Sequence, residues 1–395
     1  MSQRVFPPGN RWLIVYLAFL SAFAPLSTDM YLPALPSMAA SLQTTDALSS
    51  LSISCFLLLF ALSMLLWGPY SDKAGRQPVL LLGSALYVIS SIAIVLSPSI
   101  ESLLFWRGIQ AVGSGGISAM SLAIVKDVLR GPVMARVITW IQTITILAPM
   151  LAPVIGGLLL EFTSWRGIFV CLAACGLLAG AGALLLREPL RERTQGGIGA
   201  MLSRIVYVLS RRSFSSLLVI FSVVCMPFMA FLAVSSYVYQ GLFGVSPQTY
   251  SLFFALNAGM SLLGPVCYAR WFADWPLRRF MTVFLACITV AGLGLLLAGR
   301  WHPVLFALLC APVSFCSSAT RPPSTVLMLN QLSTDTGTMT ALINSGGLLF
   351  GSASMFLCSL PCWSDGVAAM AGITCLAGVA SLVGWRLAVA RGFAD

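Results

Sequence analysis

Charge is in short supply along this chain. Only 9% of the 395 residues are Asp, Glu, Lys or Arg, against 58% hydrophobic, and the mean hydropathy is +0.94. So little polar surface excludes an ordinary soluble domain, whose exterior must satisfy water. Acid is scarcer still: 12 carboxylates stand against 22 Lys and Arg. There is one histidine, His302, and it sits in a connection between apolar runs. The 11 cysteines show no metal-ligand or redox spacing; Cys171/Cys175 and Cys358/Cys362 lie four apart and read as packed thiols. With one His and no ligand set, the sequence gives no basis for a metal centre or a catalytic cluster, and no enzyme is expected.

Long apolar runs are abundant. A helix needs about 20 mostly apolar residues to cross the hydrocarbon core. Twelve stretches qualify: 11–34, 49–69, 78–97, 102–123, 136–160, 165–187, 213–236, 248–269, 279–299, 303–327, 338–360 and 366–386. They are continuous rather than alternating, which excludes barrel strands. The expected fold is therefore all-α and integral to a membrane, with twelve transmembrane helices. The longest polar interruption carries Arg187, Arg191, Arg193, Arg204, Arg211 and Arg212 together with Gly196-Gly197. It divides six spans from six. The predicted organisation is an N-terminal six-helix bundle over 1–187, a cytoplasmic linker over 188–212 and a C-terminal six-helix bundle over 213–395. Two pseudo-symmetric repeats are implied.

The net charge of +10 reports topology. With the N-terminus inside, only Arg166 and Arg300 fall in outer connections, while Arg107 and Arg321 lie within spans. Every other Lys and Arg is inside, as the positive-inside rule requires, so both termini are expected in the cytoplasm. No nucleic-acid partner is needed to explain the basic balance. Ala22-Phe23-Ala24 mimics a signal-peptide cleavage site, but Pro25 follows directly and the apolar run continues to Leu35. An uncleaved first span is expected.

Of the 12 acids, only Asp29 lies inside an apolar run. An intramembrane carboxylate costs several kcal/mol unless it lines a wet cavity or finds a partner. Ala22, Pro25, Asp29 and Pro33 share one helical face, and the prolines loosen the backbone there. Asp29 reads either as a proton-exchanging group or as an interfacial helix-end residue. In the fourth span Arg107, Gln110, Ser114, Ser118 and Ser121 draw a polar stripe down one face, with Gly113 and Gly116 beside it. Such a stripe faces a cavity or another helix; Arg107 either supports the proton site or substrate, or ties helices together through a carbonyl or Asp29. In the fifth span Ala148, Ala152 and Gly156 repeat every four residues beside Pro149, Pro153 and Gly157. That is a kinked seam of close packing, or a surface that seals and slides between halves. The connection Gly68 to Arg76 holds Gly75 for a tight turn and Asp72, an acid that does nothing for insertion. A carboxylate at the cytoplasmic mouth could meet the N-terminus of a helix in the opposite half, whose dipole favours it.

These segments resemble a known family. Gly68-Pro69-Tyr70-Ser71-Asp72-Lys73-Ala74-Gly75-Arg76 looks like the loop signature of the major facilitator superfamily. Arg107-Gly108-Ile109-Gln110-Ala111-Val112-Gly113 resembles its fourth-helix motif, and Ala148 to Gly157 its antiporter motif. Asp29-Met30-Tyr31-Leu32-Pro33-Ala34-Leu35-Pro36 resembles the first-helix motif of the Bcr/CflA drug:proton antiporter branch, which Trp165-Arg166-Gly167-Ile168-Phe169 also fits. Departures are Gln77, where the signature often has a base, and Ala148 and Ala152 in place of glycines. The corresponding connection near Arg270 to Arg279 has lost most of its signature.

The resemblance implies that Asp29 takes part in proton coupling, that Arg107 supports it, and that Gly68, Asp72, Gly75 and Arg76 form a gate. The expected activity is secondary active export of small amphipathic or hydrophobic compounds, drugs included, in exchange for protons. The alternative is a metabolite exporter or proton symporter on the same fold; a non-transporting membrane receptor or scaffold is a third reading. Cofactors are not expected, the proton gradient being the driving force. Expected partners are a small-molecule substrate, protons and membrane lipid, with the chain a monomer in a bacterial inner membrane. Arg321, before Pro322-Pro323 in the tenth span, is a candidate substrate contact or a snorkelling interfacial residue. His302 reads as a surface residue.

Overall fold

In the computed structural model, residues 11–129, 131–186, 188–190, 198–332 and 336–393 are described, and every regular element among them is a helix. Arg4, Arg130, Arg187, Arg191, Arg193, the Gly196-Gly197 pair, Asp335 and Asp395 lie outside the described residues, as does much of the predicted linker. The chain divides into two compact units. The first comprises Met1–Thr44 with Cys55–Ile198, the second Thr45–Ser54 with Gly199–Asp395.

The first unit contains α1 (Arg11–Ser21), α2 (Phe23–Asp29), a 3₁₀ turn (Leu32–Ala34), α3 (Leu35–Ser41), most of α4 (Asp46–Ala74), α5 (Arg76–Val95), α6 (Ile100–Val128), α7 (Gly131–Leu159) and α8 (Trp165–Leu185). The first apolar run is not one straight span. It bends by 44° between Trp12–Ser21 and Phe23–Ser41, because Pro25 cannot donate to the carbonyl of Ser21. It breaks again after Asp29, where Pro33 leaves the Asp29 carbonyl without its helical donor. Helix α5 packs against α6 and α8. At the first of these contacts the backbone of Gly113 approaches Gly83 and Tyr87 so closely that a β-carbon would lie 2.7 Å from the Gly83 carbonyl.

The second unit contains α9 (Ile198–Leu209), α10 (Arg212–Val223), α11 (Met226–Tyr237) with a π turn (Val238–Leu242), α12 (Pro247–Cys267) with a second π turn (Tyr268–Phe272), α13 (Leu277–Ala298), α14 (Pro303–Ala319), α15 (Arg321–Leu329), α16 (Thr336–Cys358) and α17 (Gly366–Ala390). Here α13 packs on α14 and α17, and α11 on α16. The tenth apolar run breaks at Thr320, since Pro322 and Pro323 remove the donors for Ser318 and Ala319. His302 caps α14, its Nδ1 accepting from the Val304 amide at 3.2 Å. Asp365 caps α17 and pairs with Arg300 at 2.7 Å.

Ten helices among the described residues are long and apolar enough to cross a membrane, or eleven with the bent first pair as one span. The expected span 136–160 falls on α7, whose Leu147–Leu159 portion is the apolar part described. Large apolar side chains point outward along these helices, such as Leu184 at 70% and Leu297 at 77% exposure, while Ser90, Ser91, Ser121 and Ser381 are buried. Lipid accepts the apolar exterior, and packing falls to small and polar groups inside.

One expectation needs correction. The connection from Gly68 to Arg76 is mostly helix: α4 continues through Pro69 to Ala74, and only Gly75 separates it from α5. Hydropathy marks where a helix leaves the hydrocarbon, not where it ends, and Tyr70 to Lys73 remain helical beyond that point.

Candidate functional site

Two polar clusters occupy the first unit, one deep and one at the α4–α5 junction. Asp29 ends α2 and is 4% exposed. Its Oδ1 accepts a 2.8 Å hydrogen bond from the neighbouring Thr28 hydroxyl. No ion pair reaches it among the described residues.

Arg107 lies on α6 with no exposed surface. Nη1 donates to the Ser27 carbonyl at 3.1 Å and to Gln110 Oε1 at 2.5 Å, and Nη2 donates to the Tyr31 hydroxyl at 3.2 Å. Its guanidinium also lies 4.3 Å from the Phe56 ring centre and 4.7 Å from that of Tyr31. Hydrogen bonds and aromatic faces together replace the water a buried cation loses. Gln110 passes the chain on to Ser91 at 2.8 Å, and the Ser27 and Tyr87 hydroxyls share a 2.6 Å bond. The partners of Arg107 therefore flank Asp29 in sequence: Ser27 before it, Tyr31 after it. Arg107 grips both sides of the break in the first span without pairing with the acid between them.

Below Arg107 on the same stripe, Ser121 donates to the Leu17 carbonyl at 2.7 Å. Ser114 and Ser118 hydroxyls are buried with no partner among the described residues. The Ala148–Gly157 segment of α7 faces this same region. Ala148, Ala152, Pro153, Gly156 and Gly157 are buried and Pro149 half-buried. A β-carbon on Gly156 would lie 1.7 Å from the Met30 carbonyl, the residue after Asp29. The close approach of this seam is thus to the broken first span of its own unit.

At the junction, Gly75 adopts φ 110°, open to glycine alone at little cost. Arg76 bonds Asp72 at 2.6 Å, Asp127 at 2.7 Å and the Ser71 hydroxyl. Asp72 is held by Arg76 one turn along. The carboxylate that meets a helix N-terminus is Glu188: it accepts from the Arg76 amide at 2.8 Å and the Gln77 amide at 3.1 Å. Anion and helix dipole are matched there, capping α5. Gln77, the departure from the loop signature, donates to the Ala183 carbonyl at 3.0 Å. Gly68 has open space around its missing side chain. Arg166 holds the other end of α5 through the Val95 carbonyl at 3.0 Å.

Sequence reading missed Glu188, Asp127, Tyr31, Phe56 and Tyr87 as site partners. Tyr31 lies within the first-helix motif; the others carry no local signal, because only the packing of α4, α5, α6 and α8 brings them in. Arg321 stands apart in the second unit, exposed at the first position of α15 and without an ion pair among the described residues.

The model of the Major Facilitator Superfamily matches residues 17–355. The chain belongs to that superfamily. It is 31% identical over 312 residues to the "Multidrug resistance protein MdtL" of Salmonella heidelberg, a match spanning 77% of this chain and 78% of that protein. It is 34% identical over 264 residues to the "Uncharacterized MFS-type transporter YdgK" of Bacillus subtilis, spanning 65% of each chain. Among solved structures it resembles a point mutant of the nucleoside transporter NupG, with a TM-score of 0.76 at 13% identity over 96% of this chain and 99% of that one. The xylose transporter XylE of E. coli gives 0.70 at 13%, over 95% and 96%. At that identity the likeness shows the fold: this transporter is an all-helical, multi-pass membrane protein of major facilitator architecture.

Proposed function

We propose that the transporter exports small amphipathic or hydrophobic compounds in exchange for protons, by alternating access, from a bacterial inner membrane with both termini cytoplasmic. The observation that carries this reading is Asp29: a buried carboxylate at a helix break, bonded among the described residues only to its neighbour Thr28, while Arg107 donates to Ser27, Gln110 and Tyr31 instead. A structural acid in a membrane interior takes a base as partner. Among the described residues no base pairs with Asp29, so gaining and losing a proton is the chemistry open to it. Arg107 is then a positioning residue, fixing the backbone on both sides of the acid. The Ser114 and Ser118 hydroxyls, without a partner among the described residues, supply places for water along the same face. The likeness to a multidrug resistance protein supports the cargo class.

Energetically, one proton falling through 100 mV contributes about 2.3 kcal/mol, and each pH unit about 1.4 kcal/mol. One coupling carboxylate suffices for modest uphill export. The test is drug uptake into inverted vesicles under an imposed pH gradient. Asp29→Asn abolishes gradient-driven uptake while retaining substrate binding; undiminished uptake in the variant refutes the role of Asp29. Release of cargo in the direction of proton flow would make the protein a symporter instead.

A further inference from the structure

The second unit holds a cavity that the transport reading does not use. It measures about 530 Å³ and lies where the end of α9, the start of α10 and the segment after α17 meet. Leu209 and Phe393 form apolar walls, and Arg212, Arg391, Ser215 and Ser216 contribute polar groups. Among the described residues no acid lines it, and neither guanidinium is in an ion pair. The neighbouring Arg211 is committed elsewhere, donating to the Tyr207 hydroxyl at 2.7 Å and covering its ring. Helix α10 starts here without a side-chain cap, so its first amides add partial positive charge to the same place.

A free anion would satisfy the cations but not the surroundings. Helix α9 buries Val208 in the core of the unit and leaves Val206 at 65%, Tyr207 at 42% and Leu209 at 40% exposure. Val219 on α10 is 50% exposed. Two cations without an ion pair among the described residues, in a pocket whose rim continues into apolar surface, match a phosphate that carries acyl chains. We propose that this cavity binds the headgroup of an anionic phospholipid, its phosphate held by Arg212 and Arg391 and its chains against the apolar faces of α9 and α10. The proposal is independent of Asp29 and of the cargo.

The test uses the full-length protein purified in detergent, titrated with phosphatidylglycerol or phosphatidylethanolamine of matched chains and followed by native mass spectrometry. R212Q/R391Q is expected to bind phosphatidylglycerol about thirtyfold more weakly than wild type, each cation near a membrane surface contributing about fivefold. Phosphatidylethanolamine binding stays unchanged, which also verifies folding. The single variants R212Q and R391Q, each losing about fivefold, give the same reading should the double variant not accumulate. R279Q/R386Q removes two exposed cations elsewhere on the unit and is expected to retain phosphatidylglycerol. Unchanged phosphatidylglycerol binding in R212Q/R391Q, or an equal loss in R279Q/R386Q, overturns the site. Millimolar inorganic phosphate forms the third arm: retention of the lipid supports a lipid site, and its displacement by phosphate overturns the lipid assignment in favour of a free-anion site.

Discussion

Gly156→Ala is the substitution whose effect the geometry fixes most tightly. The added β-carbon would lie 1.7 Å from the Met30 carbonyl oxygen, whereas ordinary contact begins at 3.4 Å. Helix α7 or the backbone at Met30 must therefore retreat by about 1.7 Å. The obstacle is main chain, so no rotamer change relieves it. Overpacking of this kind costs roughly 1–3 kcal/mol. The segment that yields carries Asp29 at its end and is gripped by Arg107 on both sides, so the displacement reaches the acid. Gly68→Ala provides the comparison. Its β-carbon meets nothing, and a mid-helix glycine gives up about 0.5–1 kcal/mol relative to alanine. Thermal midpoints at one scan rate, with uptake measured on the same preparations, separate the two variants. Gly156→Ala is expected to lose stability and most gradient-driven uptake, and Gly68→Ala to match or exceed wild-type stability. A Gly156→Ala protein as stable and active as wild type would refute the reasoning, since it would mean that the first span and α7 are not in backbone contact.

Glu188→Ala removes the acceptor for the Arg76 and Gln77 amides and the charge at the head of α5; a loss of about 2 kcal/mol is expected. Glu188→Gln keeps an acceptor and should lose about half as much, read as a smaller fall in thermal midpoint; equal midpoints for all three proteins would show that Glu188 caps nothing. Asp365 titrates below the ordinary carboxylate range: burial alone would raise it, but the hydrogen bond from Arg300 and those from the Ala368 and Val367 amides outweigh that. Its stabilisation is accordingly present above the ordinary value near pH ~3.9 and disappears as pH falls through the lowered native value. Asp365→Ala should lower the midpoint at pH 7 by the equivalent of about 1 kcal/mol, the worth of a helix cap, and the difference from wild type should vanish in strong acid.

Much of the fold could be read from the residues, because lipid imposes one rule on every span. Hydropathy places the apolar runs, and the two prolines at 322 and 323 account for the break at Thr320. What escaped was whatever depends on tertiary neighbours. The stripe from Arg107 to Ser121 was visible as a periodicity, but its partners on α2, α4 and α5 were not. Asp72 stands out as an unusual acid, but nothing local points to its pairing with Arg76, or to Glu188, 116 positions later, as the acid at the head of α5. Polarity and irregular backbone usually coincide outside a membrane, which makes the α4–α5 connection look like a loop; here the polar residues extend a helix.

That single-residue connection has a mechanical corollary. Two rods of 29 and 20 residues meet at Gly75 with only its own torsions as slack. Arg76 pins the joint to Asp127 near the end of α6, and Glu188 pins it to the chain beyond α8. A tilt imposed on α4 is thereby delivered to α5 and α6 together, so this corner behaves as a rigid crank.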